Sequence, residues 1–178
     1  MGLCYYNETP RLILRTSLPE DASALAAKRS ADFVKKYNLY KDCDSSQMLL
    51  EIENYDCLTL IERESGDIIG SVSVRDDVFR YHTGALLLHA WLTEGTAYRG
   101  YMLEALVPLM RYLFENKTDR ISVQIFSGNI ASAKLAGKLG FVKEGCLKDA
   151  VRLFDGSVVD LELYSVDKKS FFKFHSLY

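Results

Sequence analysis

A loop with two glycines carries the residues with the clearest potential for chemistry. Gly95 and Gly100 lie in residues 91–102, between an apolar stretch and the start of an amphipathic one. The first amides of a helix have no intrahelical partner and carry partial positive charge, so they attract pyrophosphate, and glycine lets the backbone approach an anion closely. The segment predicts a phosphate site, and an ordinary strand-to-helix turn is the alternative.

A second helix start lies at residues 129–132. Asn129 can cap this helix, and Ser132 then lies on its first turn. On its own the pattern also fits a plain cap followed by a surface serine. If the strands before the two helices are parallel neighbours, both helix starts lie at the carboxyl edge of the sheet, where ligands bind in such folds. The two segments are therefore predicted to line one site.

Hydrophobic periodicity predicts the elements that would position these segments. The nearly continuous apolar run 85–92 predicts a strand that is covered on both sides, and 121–125 alternates as a strand does. Between them, a helix that Pro108 should kink has one apolar face, formed by Met102, Ala105, Leu106, Leu109, Met110 and Leu113. The order strand, helix, strand predicts a crossover that joins parallel strands.

The remaining elements follow from local signals. A helical region is predicted to open at Ser17, as cap, with Pro19 in its first turn, and to run to about Tyr37 with a break near Ser30. Weaker capping signals predict a helix over 44–53, and a helix over 129–139 should be closed by a glycine at 140. Further strands are predicted at 11–16, 57–62, 68–75, from 141 onward and at 159–163. The expected fold is a single α/β (α+β) domain over residues 1–178, with a mixed, twisted, mostly antiparallel sheet of six to seven strands and helices on both faces.

Composition excludes several classes of protein. Of 178 residues, 48% are hydrophobic and 26% charged, which suits a packed core, and the net charge of -2 lacks the basic footprint of a nucleic-acid binder. No apolar run approaches the ~20 residues of a membrane span. The cysteines form no C-x-x-C pair and have no histidine at zinc spacing, so reduced thiols in a soluble, cytoplasmic protein without a metal are expected. The aromatic tail 171–178 is predicted to pack on its own chain or, alternatively, to join a homodimer.

Four groups of residues carry a family resemblance. They are Arg11-Leu12-x-Leu14-Arg15 with Glu20-Asp21-Ala22; Ala90-Trp91-Leu92 with Tyr101-Met102-x-Glu104-Ala105-Leu106; Asn129-x-x-Ser132 with Lys138-Leu139-Gly140-Phe141-x-x-Glu144-Gly145; and Asp160 with Tyr164. In this order the sequence resembles the GNAT superfamily of N-acetyltransferases, and within it the RimJ/RimL type that acetylates the N-termini of ribosomal proteins. The resemblance covers nearly the whole chain.

The resemblance implies acetyl-CoA (coenzyme A) as donor and a primary amine, on a peptide or protein N-terminus or a small molecule, as acceptor. The amine would attack the thioester directly, without a metal or a covalent enzyme intermediate. Ser132 would assist the leaving thiolate, Asn129 would contact the pantetheine arm, and the loop at Arg99 and Gly100 would surround the pyrophosphate. The residues implied to bind the cofactor are Trp91, Leu92, Thr93, Thr96, Tyr98, Arg99, Gly100, Tyr101, Met102, Asn129 and Ser132.

The sequence departs from the family in the phosphate loop and in the acid and base. The family form Arg/Gln-x-x-Gly-x-Gly/Ala, aligned on Gly100, places Tyr98 at the earlier glycine and Gly95 at the Arg/Gln position, although the Thr96 hydroxyl and Arg99 could still meet phosphate oxygens. Ala136 replaces a tyrosine acid that many members use, and the RimL-type glutamate base falls on Val151.

The general base is therefore open. His89 is the leading candidate because an imidazole titrates near neutral pH, and a packed strand histidine is the alternative reading. Glu94, Glu162 or a water chain are the other candidates. The missing base and Tyr98 also leave open a catalytically degenerate relative that keeps the fold as a binding or interaction protein.

Overall fold

A computed structural model describes residues 2–38 and 42–176 of the chain. These residues divide into two compact units. The first comprises Met1–Val74 and His89–Ala105, and the second comprises Arg75–Leu88 and Leu106–Tyr178, each within the described ranges. Because each unit takes segments from distant parts of the sequence, two strands and one helix have residues in both units.

Four strands of the first unit pair antiparallel in the order of the chain. They are β1 (Tyr6–Glu8), β2 (Leu12–Thr16), β3 (Asp56–Glu62) and β4 (Ile68–Asp76, of which residues 68–74 belong to this unit). Leu14 opposes Leu60, and Leu58 opposes Val72, so the apolar side chains of neighbouring strands share a face. The predicted hairpin of β3 and β4 is confirmed, and β1 was not predicted.

Three helices of this unit lie between β2 and β3: α1 (Ala22–Arg29), α2 (Asp32–Asn38) and α3 (Ser45–Asn54). The break near Ser30 is confirmed. Leu25 on α1, Val34 on α2 and Met48 on α3 join one buried cluster that also contains Trp91. At α3 the predicted cap is present in both directions, since Asp44 accepts from the Gln47 amide at 2.8 Å and its own amide donates to Gln47 Oε1 at 3.1 Å.

The predicted cap at Ser17 is wrong. Residues Pro19–Asp21 form a turn of 3-10 helix, and the capping oxygen is Asp21 Oδ2, which accepts from the Leu18 amide at 2.8 Å. Ser17 is buried and its hydroxyl lies 2.8 Å from the Thr59 hydroxyl. Thr59 in turn donates to Asp21, and Arg15 holds the same carboxylate through two nitrogens at 2.7 and 2.9 Å. A buried polar network has replaced the local cap.

The second unit contains the crossover. Strand β5 (Leu86–Leu92) begins here and pairs with β6 (Arg120–Phe126), with Leu86 opposite Ile121 and Leu87 opposite Ser122. The pair is parallel, as predicted. Strand β8 (Val158–Asp167) pairs antiparallel with both β6 and β7 (Val142–Arg152), and the turn between β7 and β8 includes the predicted Gly156, at φ 85°.

Three helices complete the list of elements. Helix α4 (Tyr101–Asn116) starts in the first unit and continues into the second, where Leu109, Met110 and Leu113 are fully buried. Helix α5 (Ile130–Lys138) lies within one residue of the predicted bounds 129–139 at each end, and the glycine after its C-cap has φ 85°. Helix α6 (Lys168–His175) was not predicted as a helix.

The aromatic tail packs within its own unit. Phe171 is fully buried, and its ring centroid lies 5.0 Å from that of Phe114. Asp167 caps α6 by accepting from the Ser170 amide at 2.8 Å. The eight described strands are mostly antiparallel with one parallel pair, so the predicted mixed class is confirmed, with one strand more than the six to seven expected.

Candidate functional site

The end of β5 is fixed by a close backbone approach. Trp91 is 5% exposed, and its carbonyl oxygen lies where a side chain at Gly70 would be: a Cβ built on Gly70 would stand 2.3 Å from it. The Thr93 amide then donates to the carbonyl of Ile69 at 2.8 Å. Only glycine allows this approach, so Gly70 determines where the backbone at the end of β5 runs.

The loop of residues 93–100, here called the pre-helix loop, begins with a turn of 3-10 helix at Glu94–Thr96. Thr96 is buried, and its hydroxyl contacts the Thr93 carbonyl and the Thr93 hydroxyl, each at 3.0 Å. This side chain, which was predicted to bind phosphate, is engaged within the loop and gives the turn its shape.

The second half of the pre-helix loop has a left-handed backbone at two positions. Tyr98 has φ 63° and Gly100 has φ 83°. Tyr98 stands where the family loop has a glycine, and it adopts a conformation that glycine prefers. Its side chain is 74% exposed, so the ring does not fill the interior of the loop.

Two arginines flank Tyr101, the first residue of α4. The guanidinium carbon of Arg11 lies 4.4 Å from the centroid of the Tyr101 ring, and that of Arg99 lies 5.5 Å from it. The Tyr101 hydroxyl donates to Glu62, and this hydrogen bond raises the pKa of the Tyr101 phenol and lowers that of the Glu62 carboxyl. Two guanidinium groups, those of Arg11 and Arg99, therefore lie close to the buried ring of Tyr101 at the start of the helix.

A carboxylate lies in the first turn of α4. Glu104 accepts from the Thr9 hydroxyl at 2.5 Å, from the Arg11 amide at 3.1 Å and from Arg11 Nε at 2.7 Å. Burial alone would raise the pKa of Glu104, but these donors keep it below the ordinary value of a glutamate. The Glu104 amide donates to the Gly100 carbonyl at 3.1 Å, which starts the helical ladder directly after the loop.

The proposed bases of the first unit lie near the same segment. His89 is a half-buried residue of β5, and it has interacting neighbours in the structure. Glu94 is exposed in the pre-helix loop. Neither position identifies the residue that accepts the proton, so the general base stays a prediction.

The second unit holds the other predicted segment. Asn129 is 7% exposed and caps α5, because its Oδ1 accepts from the Ser132 amide at 3.2 Å. Gly128 just before it has φ 100° and open space around its α-carbon. Ser132 is half-buried on the first turn, and its hydroxyl makes no hydrogen bond to any residue within 2–38 and 42–176. The capping prediction is confirmed.

Glu162 is poorly suited to accept a proton. It receives hydrogen bonds from Lys143 Nζ at 2.6 Å and from the Tyr164 hydroxyl at 2.7 Å, and these lower its pKa. The hydrogen bond to Glu162 raises the pKa of the Tyr164 phenol to about 12. At Ala136, where many members have a tyrosine acid, the methyl group is buried in α5.

The structure thus collects the predicted residues into two groups. Residues 89–102 share the first unit with three side chains that sequence reasoning did not assign to the site: Arg11, Glu62 and Glu104. Asn129 and Ser132 share the second unit. Arg11 and Glu104 did lie in the motifs that carried the resemblance, so a signal for them was present.

Some broad features complete the description. Among the described residues, no helix is long and apolar enough to cross a membrane, and no cluster of three or more His, Cys, Asp or Glu side chains could hold a metal. Within the described ranges, Cys4, Cys43, Cys57 and Cys146 form no disulfide with one another.

Comparison with known proteins decides the family. Residues 11–142 match the model of the Acetyltransferase (GNAT) domain, which is well over half of the chain. The chain belongs to the GNAT acetyltransferase family. This acetyltransferase is 28% identical over 172 residues to the uncharacterized N-acetyltransferase YoaA of Bacillus subtilis, covering 90% of the chain and 96% of YoaA. It is also 28% identical over 174 residues to the uncharacterized N-acetyltransferase p20 of Bacillus licheniformis, covering 92% and 96%.

Solved structures share the fold of this acetyltransferase. The ribosomal-protein-S5-alanine acetyltransferase of Vibrio fischeri superposes with a TM-score of 0.81 and 21% identity, covering 94% of this chain and 98% of that one. RimL, a ribosomal L7/L12 alpha-N-protein acetyltransferase in complex with coenzyme A, superposes with a TM-score of 0.77 and 19% identity, covering 89% and 95%. The predicted GNAT fold is confirmed, and the chain is an acyltransferase by family.

Proposed function

We propose that this protein transfers an acetyl group from acetyl-CoA to a primary amine by direct attack of the amine. The observation that carries the proposal is the start of α4, where two left-handed residues, Tyr98 and Gly100, lead directly into a helix of 16 residues. Left-handed residues occur in anion-binding concavities of the backbone, and the first amides of a helix have no intrahelical partner and can bind an anion. Arg99, which is exposed between them, adds a cation.

The described residues fit coenzyme A. A side chain built on Gly100 would meet only the Arg11 guanidinium, at 3.6 Å, so the backbone of the loop is open to a phosphate. Arg99 and Gly100, with the first amides of α4, are proposed to hold the pyrophosphate. The backbone of Trp91, Leu92 and Thr93 is proposed to pair with the pantetheine arm. When bound, acetyl-CoA supplies the acetyl group as an activated thioester.

In the second unit, Asn129 and Ser132 are proposed to serve the thiol end of acetyl-CoA. Asn129 is held rigid by its own capping bond, and Ser132 presents its hydroxyl from the first turn of α5. A hydroxyl there would donate a hydrogen bond to the leaving thiolate sulfur, while the amides of the helix start favour its negative charge. The family match at residues 11–142 includes parts of both units, which supports a single acetyltransferase domain over 1–178.

The acceptor must lose a proton before it attacks, because only a neutral amine has a free lone pair. An N-terminal amine has a pKa of about 8, so part of it is already neutral at pH 7.5. His89 is proposed as the residue that accepts the proton, with a water chain as the alternative. Glu162 is less suited, since two donors stabilise its charged form.

The proposed acceptors are peptide or protein N-termini, with small amines as the second class. Two proteins of similar fold act on ribosomal proteins, one on the alanine of S5 and one on the alpha-amine of L7/L12. The reaction is proposed to take place in the cytoplasm, where the four cysteine thiols would stay reduced. A nucleic-acid or membrane partner is not part of the proposal.

The degenerate alternative was motivated by Tyr98 and by the missing base. The exposed position of its ring and its glycine-like backbone remove the steric reason for expecting a blocked loop. Active transfer is therefore the proposal that the geometry favours.

The test has two parts. Calorimetry with acetyl-CoA and with coenzyme A measures cofactor binding, and a screen of peptide N-termini and small amines, read by mass spectrometry, measures transfer. We expect micromolar binding and acetylation of at least one peptide class, with Ser132→Ala as a variant that binds but transfers slowly. No heat of binding at millimolar acetyl-CoA would refute the proposal, and binding without transfer to any acceptor would favour the degenerate alternative.

A further inference from the structure

Arg11 contacts three parts of the α4 start at once. It lies just before β2, and its Nε and Nη2 bind Glu104 Oε2 at 2.7 and 2.6 Å. Its Nη1 donates to the carbonyl of Arg99 at 3.1 Å, and its guanidinium covers the ring of Tyr101. The planar fork of an arginine can satisfy these contacts together, whereas the single ammonium of a lysine cannot.

The contact with Arg99 bears on the shape of the pre-helix loop. Arg99 lies between the two left-handed residues, Tyr98 and Gly100, and a non-glycine residue in that conformation is held there by its surroundings. The hydrogen bond from Arg11 fixes the carbonyl at the centre of this turn. Removing it would let residues 98–100 relax toward conformations that a tyrosine prefers.

The contact with Glu104 bears on charge. A carboxylate in the first turn stabilises a helix, but it also repels any phosphate that approaches the same amides. Glu104 is 18% exposed and stays ionised, because its pKa is lowered. The ion pair with Arg11 neutralises this charge and leaves the amides and Arg99 attractive to an anion.

We propose that Arg11 is a positioning residue for the phosphate groups of coenzyme A, which holds the pre-helix loop through Arg99 and screens the charge of Glu104. The inference rests on the proposed function, since it assumes that coenzyme A is the ligand. It assigns to Arg11 no contact with the reacting atoms. It predicts that Arg11 affects cofactor affinity and loop order and has little effect on the acceptor.

A matched control exists in the same unit. Arg63 has the same exposed fraction as Arg11, 45%, donates to a backbone carbonyl, that of Thr9, at 2.9 Å, and forms an ion pair with Glu8 at 3.5 Å. Its hydrogen bonds and ion pair do not involve the pre-helix loop. Arg63→Met therefore removes an arginine of similar exposure and bonding without the two proposed effects.

The first experiment measures the dissociation constant of coenzyme A by calorimetry for the full chain. Arg11→Met is expected to raise it about tenfold, and Arg63→Met to change it less than about twofold. Adding Glu104→Gln to Arg11→Met is expected to lower the dissociation constant about threefold relative to Arg11→Met alone. The unscreened charge of Glu104 is then gone, but the hydrogen bond from residue 11 to the Arg99 carbonyl is still missing. Circular dichroism and thermal unfolding confirm that each variant is folded.

The second experiment needs no cofactor. Trypsin cleaves after arginine, and the bond between Arg99 and Gly100 is in the pre-helix loop. Mass spectrometry of timed digests should show this bond cut about fivefold faster in Arg11→Met and Arg11→Lys, and unchanged in Arg63→Met. Arg11→Lys is the informative variant, since it should recover part of the cofactor affinity through its charge and none of the protection.

The outcomes separate the two proposals. Wild-type protein that binds no coenzyme A refutes the proposed function, and the inference falls with it. Wild-type binding with the same dissociation constant in Arg11→Met overturns the role of Arg11 alone. An equal loss of affinity in Arg11→Met and Arg63→Met, with no change in cleavage after Arg99, also overturns it, because the effect would then be one of general stability.

Discussion

The carbonyl oxygen of Trp91 occupies the space that a Cβ on Gly70 would need, at 2.3 Å. The Cα of Leu92 would be 3.2 Å from the same atom. Both contacts are with backbone, which cannot rotate away as a side chain can. A residue in β4 therefore fixes the part of β5 that is proposed to pair with the pantetheine arm.

Gly70→Ala should destabilise the protein by about 2 kcal/mol, because the strand must move to admit the methyl group. It should also weaken coenzyme A binding, since residues 91 and 92 are displaced. Urea unfolding measures the first effect and calorimetry the second. Gly145→Ala, in β7 with nothing within 4 Å of the added carbon, is the control and should change neither. Unchanged stability of Gly70→Ala would contradict the close approach.

Tyr98→Gly should leave both stability and coenzyme A affinity nearly unchanged. Relief of the left-handed conformation, worth about 1 kcal/mol, is offset by the larger entropy that glycine loses on folding. Tyr98→Ile should destabilise by about 1 kcal/mol or more, because a β-branched residue fits this conformation poorly. Urea unfolding and calorimetry test both variants. A tenfold tighter complex in Tyr98→Gly would show that the tyrosine crowds the loop.

Ser132→Ala should lower kcat about a hundredfold while the dissociation constant of coenzyme A stays within about threefold. The hydroxyl is proposed to act on the leaving sulfur and is not needed for the cap, which uses the Ser132 amide. Ser132→Thr keeps a hydroxyl and should keep most of the activity. Steady-state kinetics with a saturating acceptor measure the effect. A kcat within twofold of wild type in Ser132→Ala would exclude the serine as the group that stabilises the leaving thiolate.

Asp21 should make the protein sensitive to acid. Burial would raise the pKa of its carboxyl, but hydrogen bonds from Arg15, Leu18 and Thr59 lower it below the usual value. A pKa that is lower in the folded state stabilises the fold above about pH 4, the unfolded value, and this stabilisation is lost as the pH falls through the folded pKa. The free energy of unfolding should therefore decline in that window.

Asp21→Asn should cost about 3 kcal/mol at pH 7, because it leaves Arg15 without its carboxylate, and its stability should fall less steeply below pH 4. Urea unfolding at a series of pH values gives the difference between wild type and variant. Asp32→Asn is the control, since Asp32 is fully exposed and its ion pair with Lys35, at 3.4 Å, contributes little. Parallel pH profiles of wild type and Asp21→Asn would rule out this role for Asp21.

The features that sequence predicted are those with local causes. The cap at Asn129 and the capping box at Asp44 act over three residues, and the apolar face of α4 repeats along one helix. The parallel pairing of β5 and β6 followed from the order strand, helix, strand along the chain. The resemblance to a family supplied the cofactor and the reaction, which periodicity cannot supply.

The features that sequence missed depend on partners far along the chain. Arg11 and Glu104 are 93 residues apart. Ser17, which was expected to cap a helix, instead contacts Thr59, 42 residues away. Strand β1 has three residues, too few to display alternation. Helix α6 has a polar cap at Asp167, but its aromatic residues show no clear helical periodicity in the sequence. Their packing against Phe114, a residue far away in the chain, favours the helix.

A last consequence concerns the segment between β4 and β5. Asp77 and Arg80 pair at 3.2 Å, and Arg80 also binds Glu144 of β7 and lies 3.4 Å from Ser122 of β6. This segment nevertheless turns Phe79 and Tyr81 outward, 52% and 83% exposed. The backbone that carries these rings is held in place by the contacts of Arg80. A molecule that binds to the rings would therefore cost little backbone entropy, and most of its favourable interaction energy with the rings would remain as affinity.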